Sequence, residues 1–400
     1  MKRIISIILV TLLTLSALFC LAGCSINKSE VAILWADEGE ATNPNSLINS
    51  MERAMYIENI KYTHYGANLS TETQLQQAKD AINNNCAVLV IELIPQASYA
   101  QEIVDLAKAK NIPVIFFNCE VSEEVLNSYD KCVLVASNDE SIIDVQATLI
   151  ADYIKSNFAN LDKNKDGKIN FFGLSPEHAE KVAENANTLL ATDDYKVKTE
   201  SKETVNTSLE VALTDDLTTV ELIIVDNAFD ELFVLSALQE QGYNTDKLTT
   251  QFVPIFTVGN YVDYKELVLL FRPAIPENLV IGENDSDKVI KNKDKEIKKL
   301  SELQEYYNNN KHLVDLTAVN ESDLDEMIYT TINVIDSGKI AGTALEDIDS
   351  ISLAVAEIAR NFIKGNDTFN NVVPKTKDGE PATVTVEGKT VLIRFTTYSK

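Results

Sequence analysis

Short apolar runs alternate with segments of helical periodicity along most of the chain. Residues 87–91 and 112–117 are continuous apolar runs, so they predict strands buried on both faces. Between them, apolar residues of 98–109 recur every three to four positions, which predicts a helix covering the sheet. Strands joined by helices in this order indicate a parallel sheet with helices on both sides.

The same alternation begins again in the second half of the chain. Strands are predicted at 169–173, 222–225 and 253–258, and helices at 178–190 and 229–241. Two such series predict the fold class: an α/β protein with two doubly wound parallel-sheet lobes.

The pattern breaks between about 262 and 318, where Asp, Glu, Lys and Asn dominate residues 284–311. We interpret 262–318 as a surface insertion of a solvated helix and loops rather than a third core. Helical periodicity returns at 351–363, and the chain ends in two strand-like pieces at 382–386 and 390–395.

The N-terminus carries a separate signal. A positively charged start precedes an uncharged apolar stretch from Ile4 to Ala22, which predicts a signal peptide at 1–23; a transmembrane anchor is the alternative. The ending Leu-Ala-Gly-Cys resembles the lipobox of bacterial lipoproteins. It implies that Cys24 is acylated and that the polar residues 24–30 tether the protein to the outer face of a membrane.

Charge and cysteine content narrow the class of protein. The net charge of −26 repels nucleic acid phosphates and anionic lipid headgroups, so no nucleic acid partner is expected. A lipid, rather than a polybasic patch, would hold such a body on a membrane. Cys86 and Cys132 adjoin strand-like runs and are expected to be buried, and together with Cys119 they form no disulfide framework.

A loop at 162–170 has the spacing of a calcium site. Gly167 at position 6 permits the sharp turn, and oxygen donors occupy positions 1, 3, 5, 7 and 9. The candidate ligands are the side chains of Asp162, Asn164, Asp166 and Asn170 and the carbonyl of Lys168. Position 12, normally a bidentate Glu, is Gly173, so an Asx-rich turn is the alternative.

Several stretches together resemble one family. They are 113–118 followed by Glu120, 128–151, the loop at 162–170, 220–227 and 337–343. The chain resembles the galactose/glucose-binding proteins of ABC sugar importers, which have the type I periplasmic binding-protein fold. The likeness covers most of 31–258 and 327–400.

The resemblance implies how the chain divides and where it binds calcium. The N-terminal lobe would comprise 31–137 and 347–375, and the C-terminal lobe 138–346 and 376–400, joined by a hinge. A distant Glu completes the family's Ca2+ site, and the matching residue is Glu221.

The resemblance also implies a sugar site between the lobes. Asn118, His178 and Asn227 match family hydrogen-bonding groups, and Glu180 replaces a family Asp; ordinary loop or cap roles are the alternative. Other family contacts are lost: a Lys becomes Cys119, an Arg becomes a Glu and both stacking aromatic rings are missing, although Trp35 could substitute for one. We therefore expect a saccharide other than tightly held glucose or galactose.

The expected function is a lipid-anchored solute-binding protein that delivers a small ligand, a sugar, to an ABC permease. The alternative is a sensory lipoprotein that reports the ligand to a membrane receptor without transport. The chain contains no Gly-x-Ser-x-Gly, phosphate loop or Gly-x-Gly-x-x-Gly motif, and its three His are far apart in sequence, so an enzyme is not expected.

Overall fold

The computed structural model describes residues 30–37, 47–94, 98–165, 167–173, 175–190, 196–201, 220–245, 252–259, 261–263, 293, 297–298, 328–375 and 379–399. The chain forms two units. Unit 1 contains Met1–Ser137 and Asp347–Ile393, and unit 2 contains Asn138–Glu346 and Arg394–Lys400. The chain therefore passes from one unit to the other three times.

Unit 1 is built on a seven-stranded sheet with the order β13-β14-β5-β4-β3-β1-β2. Its strands are β1 (Val31–Trp35), β2 (Tyr62–Gly66), β3 (Leu89–Ile91), β4 (Val114–Phe117), β5 (Cys132–Asn138), β13 (Val384–Glu387) and β14 (Thr390–Arg394). Its helices are α1 (Leu47–Ile57), α2 (Thr71–Asn83), α3 (Ala100–Ala109), α4 (Glu123–Asn127) and α9 (Ile348–Lys364). Strands β1 to β5 are parallel where they pair.

Side chains of successive residues in β1 point to opposite faces of this sheet and are buried on both. Ile33 packs with α1 and α9 on one face, whereas Leu34 packs with α2 and α3 on the other. This two-sided burial explains why β1 reads as an unbroken apolar run.

The C-terminal hairpin corrects one predicted boundary. The resemblance places residues 376–400 in the C-terminal lobe, but β13 and β14 extend the sheet of unit 1 beyond β5. Leu134 donates its backbone N–H to the carbonyl of Lys389, which joins the hairpin to that sheet. Only Arg394–Lys400 belong to unit 2.

Unit 2 has a six-stranded sheet with the order β15-β12-β9-β8-β6-β7. Its strands are β6 (Lys168–Gly173), β7 (Lys196–Ser201), β8 (Leu222–Ile224), β9 (Ile255–Val258), β12 (Gly342–Leu345) and β15 (Thr396–Ser399). Its helices are α5 (Ser141–Leu161), α6 (Pro176–Leu189), α7 (Ala228–Glu240) and α8 (Thr331–Asp336). A separate antiparallel pair joins β10 (Tyr261–Asp263) to β11 (Ile328–Thr330).

All pairs of this sheet are parallel except β12 with the terminal β15. The predicted class of two doubly wound α/β lobes is confirmed. Most of the predicted 262–318 insertion, like the predicted signal peptide at 1–23 and Cys24, lies outside the described residues. Among the helices that are described, none is long and apolar enough to cross a bilayer.

Candidate functional site

Polar groups of unit 1 meet where its parallel strands end. Asn118 follows β4 and donates from Nδ2 to Oε1 of Glu92, which follows β3, at 2.7 Å. The other carboxylate oxygen of Glu92 accepts from the backbone N–H of Ala36, just after β1, at 3.3 Å. One carboxylate therefore links the ends of three neighbouring strands, which is where doubly wound sheets bind their ligands.

A buried glutamine fixes the backbone around this carboxylate. Gln74, on α2, donates to the carbonyl of Glu92 at 2.9 Å and accepts from the backbone N–H of Ile94 at 3.2 Å. The hydroxyl of Tyr99 donates to the same Gln74 oxygen at 2.6 Å. The loop after β3 is thus held by groups that are themselves buried and hydrogen-bonded.

Trp35 does not provide the expected stacking surface. Its side chain is only 2% exposed and packs in the core of unit 1 with α1 and α9. The ring meets Phe117 edge-on, with centroids 5.1 Å apart and planes at 89°. Because a sugar needs an open ring face, the assignment of Trp35 as a ligand contact is wrong.

Cys119 changes the charge of the same edge. It is half-buried, and burial raises the pKa of its thiol to about 12. A neutral thiol therefore stands where the family has a Lys. The other two cysteines, Cys86 and Cys132, are free and buried as expected.

In unit 2, His178 lies in the first turn of α6 after β6. Its Nε2 lies 2.7 Å from Oε1 of Gln146 on α5. Gln146 is buried and donates to the carbonyls of Val225 and Phe256 at 3.1 and 3.2 Å. Burial lowers the pKa of His178, which nearby Asp226 opposes, so the ring is neutral at neutral pH.

Asn227 lies immediately before α7, in the short connection that follows β8. Its Oδ1 accepts from the backbone N–H of Asp230 at 2.8 Å, which makes it the helix N-cap. Its Nδ2 donates to Asp226 at 3.0 Å and to Asp230 at 2.7 Å. Asp226 also accepts from the hydroxyl of Ser175 at 2.5 Å, so this edge is a connected polar group.

Glu180 and His178 differ in their surroundings on α6. Both residues lie within α6, and positions two apart on a helix point to different sides. His178 is half-buried against Gln146, whereas Glu180 is exposed. The assignment of Glu180 as a ligand contact stays a prediction.

The predicted calcium loop and its distant Glu lie together. Glu221 is 0% exposed. Its Oε1 accepts from the backbone N–H of Lys163 at 2.6 Å and of Asn164 at 3.4 Å, and its Oε2 accepts from the backbone N–H of Asn170 at 2.9 Å. Glu221, although remote in sequence, therefore hydrogen-bonds to both ends of the loop.

The rest of the loop has the geometry of a tight turn. Gly167 adopts a φ of 75°, which suits glycine, and its N–H donates to Oδ2 of Asp162 at 3.0 Å. Lys165 also has a positive φ of 60°. Asp166 lies outside the described residues, and the described ones contain no group of three acidic, His or Cys side chains that could hold a metal.

Buried negative charge distinguishes this loop from an ordinary turn. Burial raises the pKa of Glu221, the three backbone N–H groups lower it, and the charge of Asp162 raises it again. The nearby Lys163 is itself desolvated, which lowers its pKa. Glu221 and the loop offer only oxygen donors, namely two carboxylates, two Asn amides and the Lys168 carbonyl, and oxygen is the ligand type that a hard cation such as calcium takes.

Sequence reasoning missed Glu92, Gln146 and Asp226. Two of them had a readable signal, because each is a charged residue at the end of an apolar strand run, in Leu-Val-Ile-Glu and Ile-Ile-Val-Asp. Gln146 gave no such signal, since it lies in the middle of α5 and its contacts are all distant in sequence.

Comparison with known proteins gives a family and a fold. Residues 38–268 match the family described as periplasmic binding protein domain. The D-galactose/methyl-galactoside binding periplasmic protein MglB of Haemophilus influenzae is 32% identical over 133 residues, which are 33% of this chain and 40% of that protein. The region that matches therefore spans less than half the length of this curated relative.

Solved structures resemble the whole chain at low identity. A mutant of the XylFII–LytSN complex aligns with a TM-score of 0.50 and 12% identity over 93% of this chain and 98% of that one. A periplasmic ribose ABC transporter protein from Conexibacter woesei aligns with a TM-score of 0.49 and 10% identity over 94% of each chain. Because the family match covers more than half of its residues, the chain belongs to the periplasmic binding protein family.

Proposed function

We propose that this protein binds a saccharide outside the cytoplasm and delivers it to an ABC transporter. The observation that carries the proposal is the polar group formed by Glu92, Asn118 and the Ala36 N–H at the strand ends of unit 1. Sugar hydroxyls both donate and accept, and a carboxylate beside an amide meets both needs. The galactoside-binding relative from Haemophilus influenzae supports a saccharide as the ligand.

Unit 2 offers a second polar edge of similar composition. His178, Asp226 and Asn227 follow β6 and β8, and none of them carries positive charge at neutral pH. With Cys119 neutral as well, the described strand ends present acceptors and neutral donors without a Lys or Arg. These edges suit an uncharged polyol better than a sugar acid or sugar phosphate.

The ligand we propose is a saccharide other than tightly bound galactose or glucose. The stacking rings expected for those pyranoses are missing, and Trp35 cannot replace one because its ring is buried in the core. Hydrogen bonds therefore carry the recognition. Truncating one is expected to weaken binding by about tenfold, and by more where the partner is charged.

Calorimetry on ligand-stripped protein with a panel of neutral mono- and disaccharides tests this function. Glu92→Gln and Asn118→Ala should weaken binding of the best ligand, and Asn227→Ser should weaken it while keeping the α7 cap. Asn111→Ala, at the opposite end of the same strands, is the matched control. Micromolar binding of galactose or glucose would refute the choice of ligand, and full affinity in the Asn118→Ala, Asn227→Ala double variant would refute the site.

We propose calcium as a structural ion of unit 2. The support is the buried Glu221 carboxylate, which lies against a loop whose spacing already provides oxygen donors. A bound calcium would neutralise Glu221 and Asp162 and stiffen the turn around Gly167. No step of solute binding is assigned to the ion.

Membership of the family implies an extracytoplasmic protein, and we propose that it binds a solute rather than converting it. We propose that lipid on Cys24 holds it on the outer face of the membrane, on the strength of the Leu-Ala-Gly-Cys ending. Transport is favoured over sensing because the curated relative is a galactoside-binding periplasmic protein. Loss of saccharide uptake on deleting the gene would support transport, and unchanged uptake would refute it.

A further inference from the structure

One edge of unit 1, where its parallel strands begin, exposes apolar side chains. Helix α1 ends there with Tyr56 84% exposed and Ile57 64% exposed. The chain then enters β2, whose first residue lies beside Val31 at the start of β1. We call this surface the amino edge; it contains residues 56–61, 108–111, 129–131 and 363–364.

Helix α9 ends at the same edge. It runs parallel to α1, because Arg53 pairs with Asp349 near the start of α9 and Glu58 pairs with Arg360 near its end. Its last turn therefore lies beside the end of α1 and contributes Ile363, which is also exposed. Exposed apolar residues from two helices thus lie together, and such a patch marks a contact surface.

Five lysines lie along the same edge of unit 1, with Lys108 and Lys110 at the end of α3 on the other face of the sheet from α1 and α9. They are Lys61, Lys108, Lys110, Lys131 and Lys364. Lys108 donates to the carbonyl of Ser128, and Lys110 and Lys131 donate to the amide oxygens of Asn83 and Asn111. Since these acceptors are neutral, they leave the positive charges uncompensated, and none of the five forms an ion pair within the described part of the chain.

Acidic residues at this edge are fewer than the lysines, and one of them is neutralised by an ion pair. Glu58 is paired with Arg360, and Glu30 accepts from Thr63. Asp130 and Asp367 are exposed. The amino edge is therefore slightly positive in a chain whose net charge is −26.

The opposite edge of the same sheet has the reverse charge. The described residues that directly follow β1 to β4 are 36–37, 67–69, 92–94 and 118–120; they include Asp37, Glu92 and Glu120 but no Lys or Arg. Near a negatively charged surface, unit 1 would accordingly turn its amino edge toward that surface.

The chain enters unit 1 at the amino edge. Cys24 is seven residues before Val31, and an extended chain spans at most about 3.5 Å per residue, or roughly 25 Å in all. An acylated Cys24 would keep the start of β1 within that distance of the bilayer. We infer that the amino edge of unit 1 is a docking surface for anionic membrane lipids, where lysines contact headgroups and Tyr56, Ile57 and Ile363 enter the interface. The inference rests on the proposed lipid anchor.

Two exposed aliphatic residues at opposite edges give a matched test. Ile57 is 64% exposed at the amino edge, and Leu69 is 60% exposed just after β2 at the other edge. The lipidated protein carrying Ile57→Cys or Leu69→Cys is labelled with an environment-sensitive dye and bound to vesicles containing phosphatidylglycerol. Unsubstituted protein gives the background, which should be low because Cys86 and Cys132 are buried and the pKa of Cys119 is about 12.

A blue shift and quenching by headgroup-labelled lipid are expected for the dye at Ile57→Cys and not at Leu69→Cys. Lys61→Gln should lower the ratio of docked to undocked protein about fivefold, since one lysine near an anionic surface contributes about that much. Lys155→Gln removes the same charge from the exposed face of α5 in unit 2 and should leave the ratio unchanged.

Equal signals at Ile57→Cys and Leu69→Cys, or no signal at either on lipidated protein, would refute the docking surface without affecting the proposed lipid anchor. An equal effect of Lys61→Gln and Lys155→Gln would overturn the role of the lysines. Protein that carries no fatty acid and does not sediment with vesicles would refute the anchor as well, whereas saccharide binding measured in solution is independent of all these outcomes.

Discussion

The substitution Glu221→Gln tests the calcium proposal most directly. The carboxylate accepts backbone N–H groups on both oxygens, from Lys163 on Oε1 and from Asn170 on Oε2. A glutamine amide has one oxygen, so its NH2 group must face one of these donors. Losing a hydrogen bond to a charged group costs about 1.5–3 kcal/mol.

Removing the charge acts in the opposite direction. Burial raises the pKa of Glu221, so its ionised form is costly to keep in the metal-free protein. The two effects partly cancel, and the melting temperature of metal-free Glu221→Gln could lie near that of the unsubstituted protein. The informative quantity is therefore the increment that calcium adds.

Calcium that binds only the folded state stabilises it by about 2.7 kcal/mol when its concentration is 100 times Kd. Unit 2 contains about 200 residues, a size for which 1 kcal/mol corresponds to about 2–4 °C in melting temperature. Calcium should thus raise the melting temperature of unit 2 by about 5–10 °C. In Glu221→Gln the same addition should raise it by less than about 2 °C.

Differential scanning calorimetry with and without a chelator measures both increments. Asp152→Asn, an exposed acid on α5 away from the loop, is the control and should keep the full calcium increment. An equal increment in Glu221→Gln and the unsubstituted protein would show that Glu221 is not a ligand. If calcium does not raise the melting temperature of the unsubstituted protein, the loop is an Asx-rich turn that binds no calcium.

Four further outcomes are expected. Calcium affinity, measured by titration, should fall as pH is lowered through the raised pKa of Glu221, because a proton competes with the metal. The contribution of Glu221 to the stability of the metal-free protein has the opposite dependence: it is present at low pH and is lost as pH rises through that pKa. A calcium affinity that rises on acidification would contradict the assignment of Glu221 as a ligand. Cys24→Ala should abolish incorporation of a fatty-acid probe, and an unsubstituted protein that takes up no label would favour a transmembrane anchor. Gly173→Ala should lower the free energy of unfolding by about 1–3 kcal/mol in denaturant melts, because a Cβ at this position would lie 2.2 Å from the Cβ of Ala179. The clash would displace the start of α6 and so weaken saccharide binding. Unchanged stability and affinity would refute this prediction. Trp35→Ala should cost about 3–5 kcal/mol of stability, and a loss of saccharide affinity in protein that remains folded would restore it as a ligand contact.

The sequence predicts the strands that are continuous apolar runs, but it does not reveal β2 and α2, whose residues are largely polar or exposed. The strands at 112–117 and 222–225 were recognised because both faces are buried, which leaves no polar residue to interrupt the run. By contrast, β2 (Tyr62–Gly66) lies at the edge of its sheet, and its residues are exposed or half-buried. Helix α2 is largely polar, and its buried Gln74 serves the loop after β3 rather than the core.

The candidate sites divide in the same way. The loop at 162–170 could be proposed as a calcium site because its oxygen donors are close in sequence and must follow the turn at Gly167. Glu221 came only from the resemblance, since no local pattern links it to a loop more than fifty residues earlier. The error was a side chain whose direction depends on packing, because Trp35 points into the core.

The two-lobed α/β class, the strongly acidic charge and the spacing of the loop at 162–170 can all be read from the sequence, because each follows from composition or from periodicity within one segment. The folded chain was needed to show that the C-terminal hairpin completes the sheet of unit 1 and that Glu92 joins three strand ends. It also decided that Lys61, Lys131 and Lys364 share one edge with Tyr56. These groupings bring together residues that are far apart along the chain, and which residues meet depends on strand order and helix direction, which local patterns do not encode.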